Sequence, residues 1–183
     1  MDTDNRPNDL LLAGGKALTV LMQGVLGIAA FALAIVIPVL LIFRETIRAE
    51  LIDELGPQAS DPPMAAAIAV LVLALVAVVM IFIFFGKLRK IISTVGDGDP
   101  FVPENADRLS VMAWLLLGVQ LLSILIGGIG LMVAKWADEV EHADITIDAG
   151  LDFTGILMVI VLFILARVFR HGAEMRDDLE GTV

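Results

Sequence analysis

Few residues in this chain could do chemistry, and they lie between its apolar segments. Glu141, His142 and Asp144 stand close together in an acidic stretch, and carboxylate oxygens with an imidazole nitrogen could bind a divalent cation. Their spacing matches neither an EF-hand loop nor the paired histidines of a zinc helix. A solvated acidic loop is the favoured interpretation, so we predict neither a metal site nor a cofactor.

Catalysis has equally little support in the residue types. The chain has no cysteine, which removes thiol chemistry and disulfides together. Both histidines, His142 and His171, lie outside the apolar segments, and no serine–histidine pairing is apparent. The central parts of the apolar segments carry no ionisable group, although intramembrane enzymes and proton-coupled carriers need such groups there. We therefore predict that the protein is not an enzyme.

Four apolar segments dominate the chain, which is 58% hydrophobic. Residues 17–43, 62–86 and 109–134 carry no charged side chain, and each is longer than the roughly 20 residues that a membrane-spanning helix needs. The fourth segment, Phe153 to Ala166, would reach only about 21 Å, unless the arginines that follow it extend to the interface. The sequence predicts one all-α integral-membrane domain over residues 1–183, a transmembrane four-helix bundle. Its spans lie at about 17–43, 64–86, 109–134 and 151–169.

The lysines and arginines predict the orientation of these spans. Nine of the twelve lie in the N-terminal tail, the second connection and the C-terminal segment, and positive charge resists translocation. Both termini and the loop 87–108 should therefore be cytoplasmic, with the loops 44–63 and 135–150 outside. The net charge of −10 and the lack of a basic stripe argue against direct binding of nucleic acid.

Local signals refine the helices. Ile47, Leu51 and Leu55 share one helical face, so the first helix should project outward until residue 56. Asp61 before two prolines predicts the N-cap of the second helix. Small residues in the third helix predict close helix packing and are also compatible with a homodimer; they are Gly118, Gly127, Gly128 and Gly130.

The most specific sequence lies on the predicted cytoplasmic side. Phe101 stands between two prolines, and Asn105 could cap the third helix. In the C-terminal segment, Arg170/Glu174 and Arg176/Glu180 have the i,i+4 spacing of helical ion pairs, which predicts that the fourth helix continues past the membrane.

Several of these segments resemble a bacterial membrane family, domain of unknown function family 2975. The resemblance rests on Gly98-Asp99-Pro100-Phe101 with Asn105 and Leu109, on the segment 162–172, and on the end 178–183; His171 is a loose match. It implies a four-helix protein of the bacterial inner membrane and supplies no catalytic residues. Genes of this family often adjoin one for a short Cro/Xre-type helix-turn-helix regulator, which implies a transcription factor as the partner.

We therefore hypothesise a non-enzymatic, regulatory, multi-pass membrane protein that binds or sequesters such a cytoplasmic regulator. The predicted docking residues are Phe101, Asn105, Arg167, Phe169 and Arg170. Arg167 also has a purely structural interpretation, as an anchor at the bilayer surface. The alternative function is a small channel or carrier for a neutral or apolar solute, which would need no buried charge.

Overall fold

The computed structural model describes residues 6–55, 61–141 and 152–180. These residues form four α-helices and no β-strand: α1 (Arg6–Leu55), α2 (Met64–Gly96), α3 (Pro103–Glu141) and α4 (Phe153–Glu180). Each helix contains a segment long and apolar enough to cross a membrane. The all-α prediction is confirmed. By helix length and composition, the chain is a multi-pass membrane protein.

The helices run beyond the predicted spans. α1 continues to Leu55 and α4 continues through Gly172 to Glu180, which confirms both predicted extensions. α2 ends at Gly96 and α3 begins at Pro103, so most of the segment predicted as the loop 87–108 is helical. The reason is local: residues 87–95 contain no glycine or proline that would end α2, and proline favours the first position of a helix.

The predicted cap of α2 is wrong. α2 begins at Met64, whose N–H donates to the carbonyl of Pro62 at 2.8 Å, and the N–H of Ala67 donates to the carbonyl of Pro63 at 3.0 Å. The carboxylate of Asp61 instead accepts two hydrogen bonds from Arg48, one of them from Nε at 2.9 Å. Asp61 holds the pKa of Arg48 above its ordinary value by this hydrogen bonding and by its charge. The ion pair therefore joins the end of α1 to the residues before α2.

The contacts divide the chain into two compact units. One consists of α1 up to Gly27, Met80–Gly118 and the residues from Asp152 onward; the other consists of Ile28–Val79 and Val119–Leu151. The Arg48–Asp61 pair belongs to the second unit. The candidate site described below belongs entirely to the first unit.

Packing in the first unit joins α2, α3 and α4. Its buried core is Ile91, Leu109, Met112, Ala113, Leu162 and Ala166. Partly buried apolar side chains surround it: Phe84, Leu88, Leu116, Phe163 and Phe169. Many other large apolar side chains are exposed, such as Leu21, Ile28 and Phe31, as expected for helix faces that a bilayer covers.

Close helix packing occurs at some of the glycines. An added Cβ at Gly86 would lie 3.1 Å from Nε2 of Gln23, and one at Gly118 would overlap Cε of Met80. Gly128 has no such neighbour within 4 Å, so the packing prediction fails there. Gly127 and Gly130 are buried.

Candidate functional site

The candidate site is built on the turn between α2 and α3, residues 97–102. The N–H of Asp99 donates to the carbonyl of Thr94 at 3.0 Å, and the N–H of Gly98 donates to that of Val95 at 3.1 Å. This pair of bonds is the Schellman motif that ends many helices. Gly98 has a φ of +81°, where an L side chain costs about 1–2 kcal/mol. The turn therefore has a defined shape, fixed by the last residues of α2.

Asn105 holds this turn from inside. Its side chain is completely buried, and its Nδ2 donates to Oγ1 of Thr94 at 2.7 Å and to the carbonyl of Pro100 at 2.9 Å. Its Oδ1 accepts a bond of 2.7 Å from Arg108. Asn105 is the third residue of α3 rather than its cap, because the helix begins at Pro103. Every polar atom of the side chain has a partner inside the protein, so Asn105 offers no exposed surface for docking.

The C-terminal part of α4 packs against the turn. The rings of Phe101 and Phe169 lie 5.4 Å apart, centroid to centroid, at an angle of 43°. One turn further along α4, a Cβ atom added at Gly172 would lie 2.7 Å from Cδ1 of Phe101. The neighbouring Ala173 is buried. Only glycine at position 172 lets the helix approach the Phe101 ring this closely.

Two ion pairs flank this aromatic contact. Arg170 contacts Asp107 at 3.0 Å, and Arg176 contacts Asp99. The side chains of Arg170 and Asp107 are 58% and 75% exposed, so water screens their attraction, and pairs of this kind contribute about 0.2–1 kcal/mol. We call this set of contacts the clasp; its members are Asp99, Phe101, Asp107, Phe169, Arg170, Gly172 and Arg176.

Beside the clasp lies an open groove of about 1190 Å³. Its lining comes from Phe101, from Ser110 of α3 and from α4 residues between Phe163 and Met175. At one end the α4 lining is wholly apolar, from Phe163 to Ala166. Further along α4 it mixes charged and apolar side chains: Arg167, Val168, Arg170, His171, Glu174 and Met175. The groove is therefore apolar at one end and mixed, with charged and apolar side chains, at the other.

The predicted docking residues have different positions. Phe101, Phe169 and Arg170 meet in the clasp, whereas Arg167 lies on the groove and Asn105 is buried. The predicted i,i+4 partner of Arg170 is wrong, since Arg170 pairs with Asp107. The side chain of Glu180 lies outside the described part of the structure, so the second predicted pair stays a prediction.

Sequence reasoning missed four of the seven residues of the clasp. It did not single out Asp99, Asp107, Gly172 or Arg176 for these contacts. Asp99 and Arg176 are separated by 77 positions, and no helical spacing connects them. Gly172 had a readable signal, because a glycine inside a charged helix costs about 1 kcal/mol relative to alanine and needs a reason to be there.

The acidic stretch offers no site in the described residues. His142 and Asp144 lie outside them, so the interpretation as a solvated loop stays a prediction. Elsewhere in the described ranges, no three histidine, aspartate or glutamate side chains come together as a metal site would require. The Asp97-Gly98-Asp99 sequence serves the Schellman turn and the Arg176 pair.

Comparison with known proteins gave one match. A family model described as "Protein of unknown function (DUF2975)" matches residues 48–183. No curated protein and no solved structure matched the chain. The matched range contains α2, α3, α4, the whole clasp and the groove. Because the match covers more than half of the sequence, the chain belongs to this family, DUF2975.

Proposed function

We propose that this protein is a non-enzymatic membrane regulator that binds a small cytoplasmic helix-turn-helix DNA-binding protein at the clasp. The observation that carries the proposal is the meeting of two distant segments. Phe101 from the α2–α3 turn packs on Phe169 and Gly172 of α4, and exposed arginines stand beside this contact. These are the same two segments that resemble the family.

The chemistry of this surface suits a protein partner. Phe101 is 41% exposed and Met175 is 52% exposed, so both retain apolar area for a contact. Arg170 and His171 are exposed next to them, and their donors suit acidic or carbonyl groups. An exposed aromatic residue beside arginine is a common composition for an interface centre.

The location also supports a cytoplasmic partner. The lysine and arginine counts orient the α2–α3 turn and the C-terminal segment toward the cytoplasm. A soluble DNA-binding protein can reach only that side. The chain itself has a net charge of −10, which disfavours direct contact with DNA phosphates. In this proposal the partner, and not this chain, binds DNA.

The experiment is copurification of the tagged full-length protein from its native membranes in mild detergent. Arg170→Asp removes the arginine but also places two acidic groups together at Asp107. The double variant Asp107→Arg, Arg170→Asp restores an ion pair in the clasp while it inverts the surface charges. Arg89→Asp is the matched control, because Arg89 is exposed on α2 and does not line the groove.

We expect a small helix-turn-helix protein with the parent and with Arg89→Asp, and its loss with both Arg170 variants. Retention by the double variant would mean that Arg170 serves only the clasp. Recovery of the parent alone, under conditions that preserve other membrane complexes, would contradict the proposal and favour the small channel or carrier.

A further inference from the structure

The groove lies where the uncharged segments of two helices end. α4 has no charged side chain between Asp152 and Arg167, and the uncharged segment of α3 begins at Leu109, next to the groove residue Ser110. In helices that cross a bilayer, this change from apolar to charged residues falls at the hydrocarbon boundary. We therefore expect the groove at the depth of the lipid headgroups.

Along α4, charged side chains enter the lining of the groove only from Arg167 onward, and the apolar Val168 and Met175 lie among them. Phe163 and Ile164 come first, Arg167 follows, and Arg170 and His171 come one turn later. Ile164 is 57% exposed, so it presents apolar area outward. A phospholipid has the same order of parts: an acyl chain, then a phosphate, then a polar headgroup.

Arg167 is the cation in this groove that lacks a counter-ion in the described part of the chain. Arg170 contacts Asp107 at 3.0 Å, and Nδ1 of His171 lies 3.6 Å from Glu174. Arg167 is exposed, and no described residue forms a hydrogen bond or an ion pair with it. A guanidinium group can bind a phosphate through two parallel hydrogen bonds, so a phosphate at this depth would supply the missing charge.

We propose that the groove binds an anionic phospholipid, with its phosphate on Arg167 and an acyl chain along Phe163 and Ile164. A zwitterionic lipid brings its own cation next to the phosphate, which weakens the attraction to the arginine, whereas phosphatidylglycerol does not. Glu174 at the polar end repels a headgroup carboxylate, so an uncharged glycerol headgroup suits the site. The proposal does not depend on the DNA-binding partner.

Trp114 is a reporter at this site. Its ring lies 5.4 Å from that of Phe163, edge to face, and it is 62% exposed. The chain has two tryptophans, so Trp136→Phe leaves Trp114 as the sole fluorophore. The full-length variant is reconstituted into phosphatidylcholine vesicles that contain an equal fraction of brominated phosphatidylglycerol or brominated phosphatidylcholine, and quenching of Trp114 is measured.

We expect brominated phosphatidylglycerol to associate about fivefold better than brominated phosphatidylcholine. One basic residue near an anionic lipid contributes about 1 kcal/mol of binding free energy, which corresponds to this ratio. Arg167→Gln should abolish the preference, and Arg167→Lys should keep part of it. Arg89→Gln, at an exposed basic residue outside the groove, should keep all of it. Circular dichroism of each variant verifies that the helices remain.

Equal quenching by the two lipids in the Trp136→Phe parent would overturn the proposal. A preference that Arg89→Gln removes as fully as Arg167→Gln would also overturn it, since general surface charge would then explain the effect. Equal quenching combined with loss of a copurifying protein in Arg167→Gln would overturn the proposal and assign Arg167 to the protein partner.

Discussion

The ring of Phe101 lies so close to Gly172 that a Cβ atom at the glycine would stand 2.7 Å from Cδ1 and 2.9 Å from Cε1 of the ring. The residues are 71 positions apart in the sequence, on the α2–α3 turn and on α4. Their contact makes the turn and the end of α4 one packed surface. The binding of a partner to the turn would therefore also depend on the position of α4.

Gly172→Ala should destabilise the protein. The new methyl group meets the Phe101 ring, which also packs against Phe169, and overpacking of this kind costs about 1–3 kcal/mol. The measurement is thermal unfolding in detergent, followed by circular dichroism. Phe101→Leu in the Gly172→Ala background should recover part of the loss, because the smaller side chain leaves room for the methyl group.

Gly14→Ala provides the matched control for that prediction. Gly14 lies inside α1, and an added Cβ there has no neighbour within 4 Å. Alanine should be neutral or stabilising by up to about 1 kcal/mol at such a position. Equal unfolding temperatures for Gly172→Ala and Gly14→Ala would contradict the close contact between Phe101 and Gly172.

Gly98→Ala tests the turn itself. The positive φ of Gly98 should make alanine cost about 1–2 kcal/mol, while Gly98→Asn should cost less, since asparagine tolerates this region better. Unfolding temperatures of the two variants give the comparison. Alanine tolerated as well as asparagine would contradict the Schellman ending of α2 and the positive φ of Gly98.

Asn105→Ala separates a structural role from a docking role. It removes the donors to Thr94 and Pro100 and the acceptor for Arg108, and buried groups left without partners cost about 1–3 kcal/mol. We expect a lower unfolding temperature. At temperatures where the variant is still folded, copurification of the regulator should be unchanged. Loss of the regulator from a fully folded Asn105→Ala protein would return this residue to the docking surface.

The ion pair of Arg170 with Asp107 should make a small, salt-dependent contribution. A double-mutant cycle with Arg170→Ala and Asp107→Ala should give a coupling energy of about 0.2–1 kcal/mol, lower at high salt because exposed charges are screened. Arg89→Ala combined with Asp107→Ala gives the reference for uncoupled sites. A coupling energy of zero at low salt would remove this pair from the clasp.

The helices themselves could be predicted from the sequence because each signal is local. Uncharged segments longer than a bilayer is thick define α1, α2 and α3, and the spacing of Ile47, Leu51 and Leu55 predicted the true end of α1. The extension of α4 through Gly172 followed from its charge pattern. The loop 87–108 was predicted too long because apolar span length says nothing about how far a helix continues into water.

The clasp could not be predicted because its contacts join distant positions. Arg170 had a good local partner at Glu174, yet the fold brings Asp107 closer. Asn105 looked like a surface cap, and only its burial between Thr94 and Pro100 gives its role. Periodicity identifies which residues share a helix face, whereas it does not identify the residue on another helix that each one meets.

The most direct test of the regulatory account is photo-crosslinking in the native cell. A photo-reactive amino acid replaces His171, which is exposed on the groove, and a control replaces Ile35, which is 50% exposed on α1 in the other unit. The account predicts a cross-link from position 171 to a small helix-turn-helix protein and none from position 35. A properly inserted protein that cross-links from position 171 only to lipid, or to a second copy of itself, would contradict it.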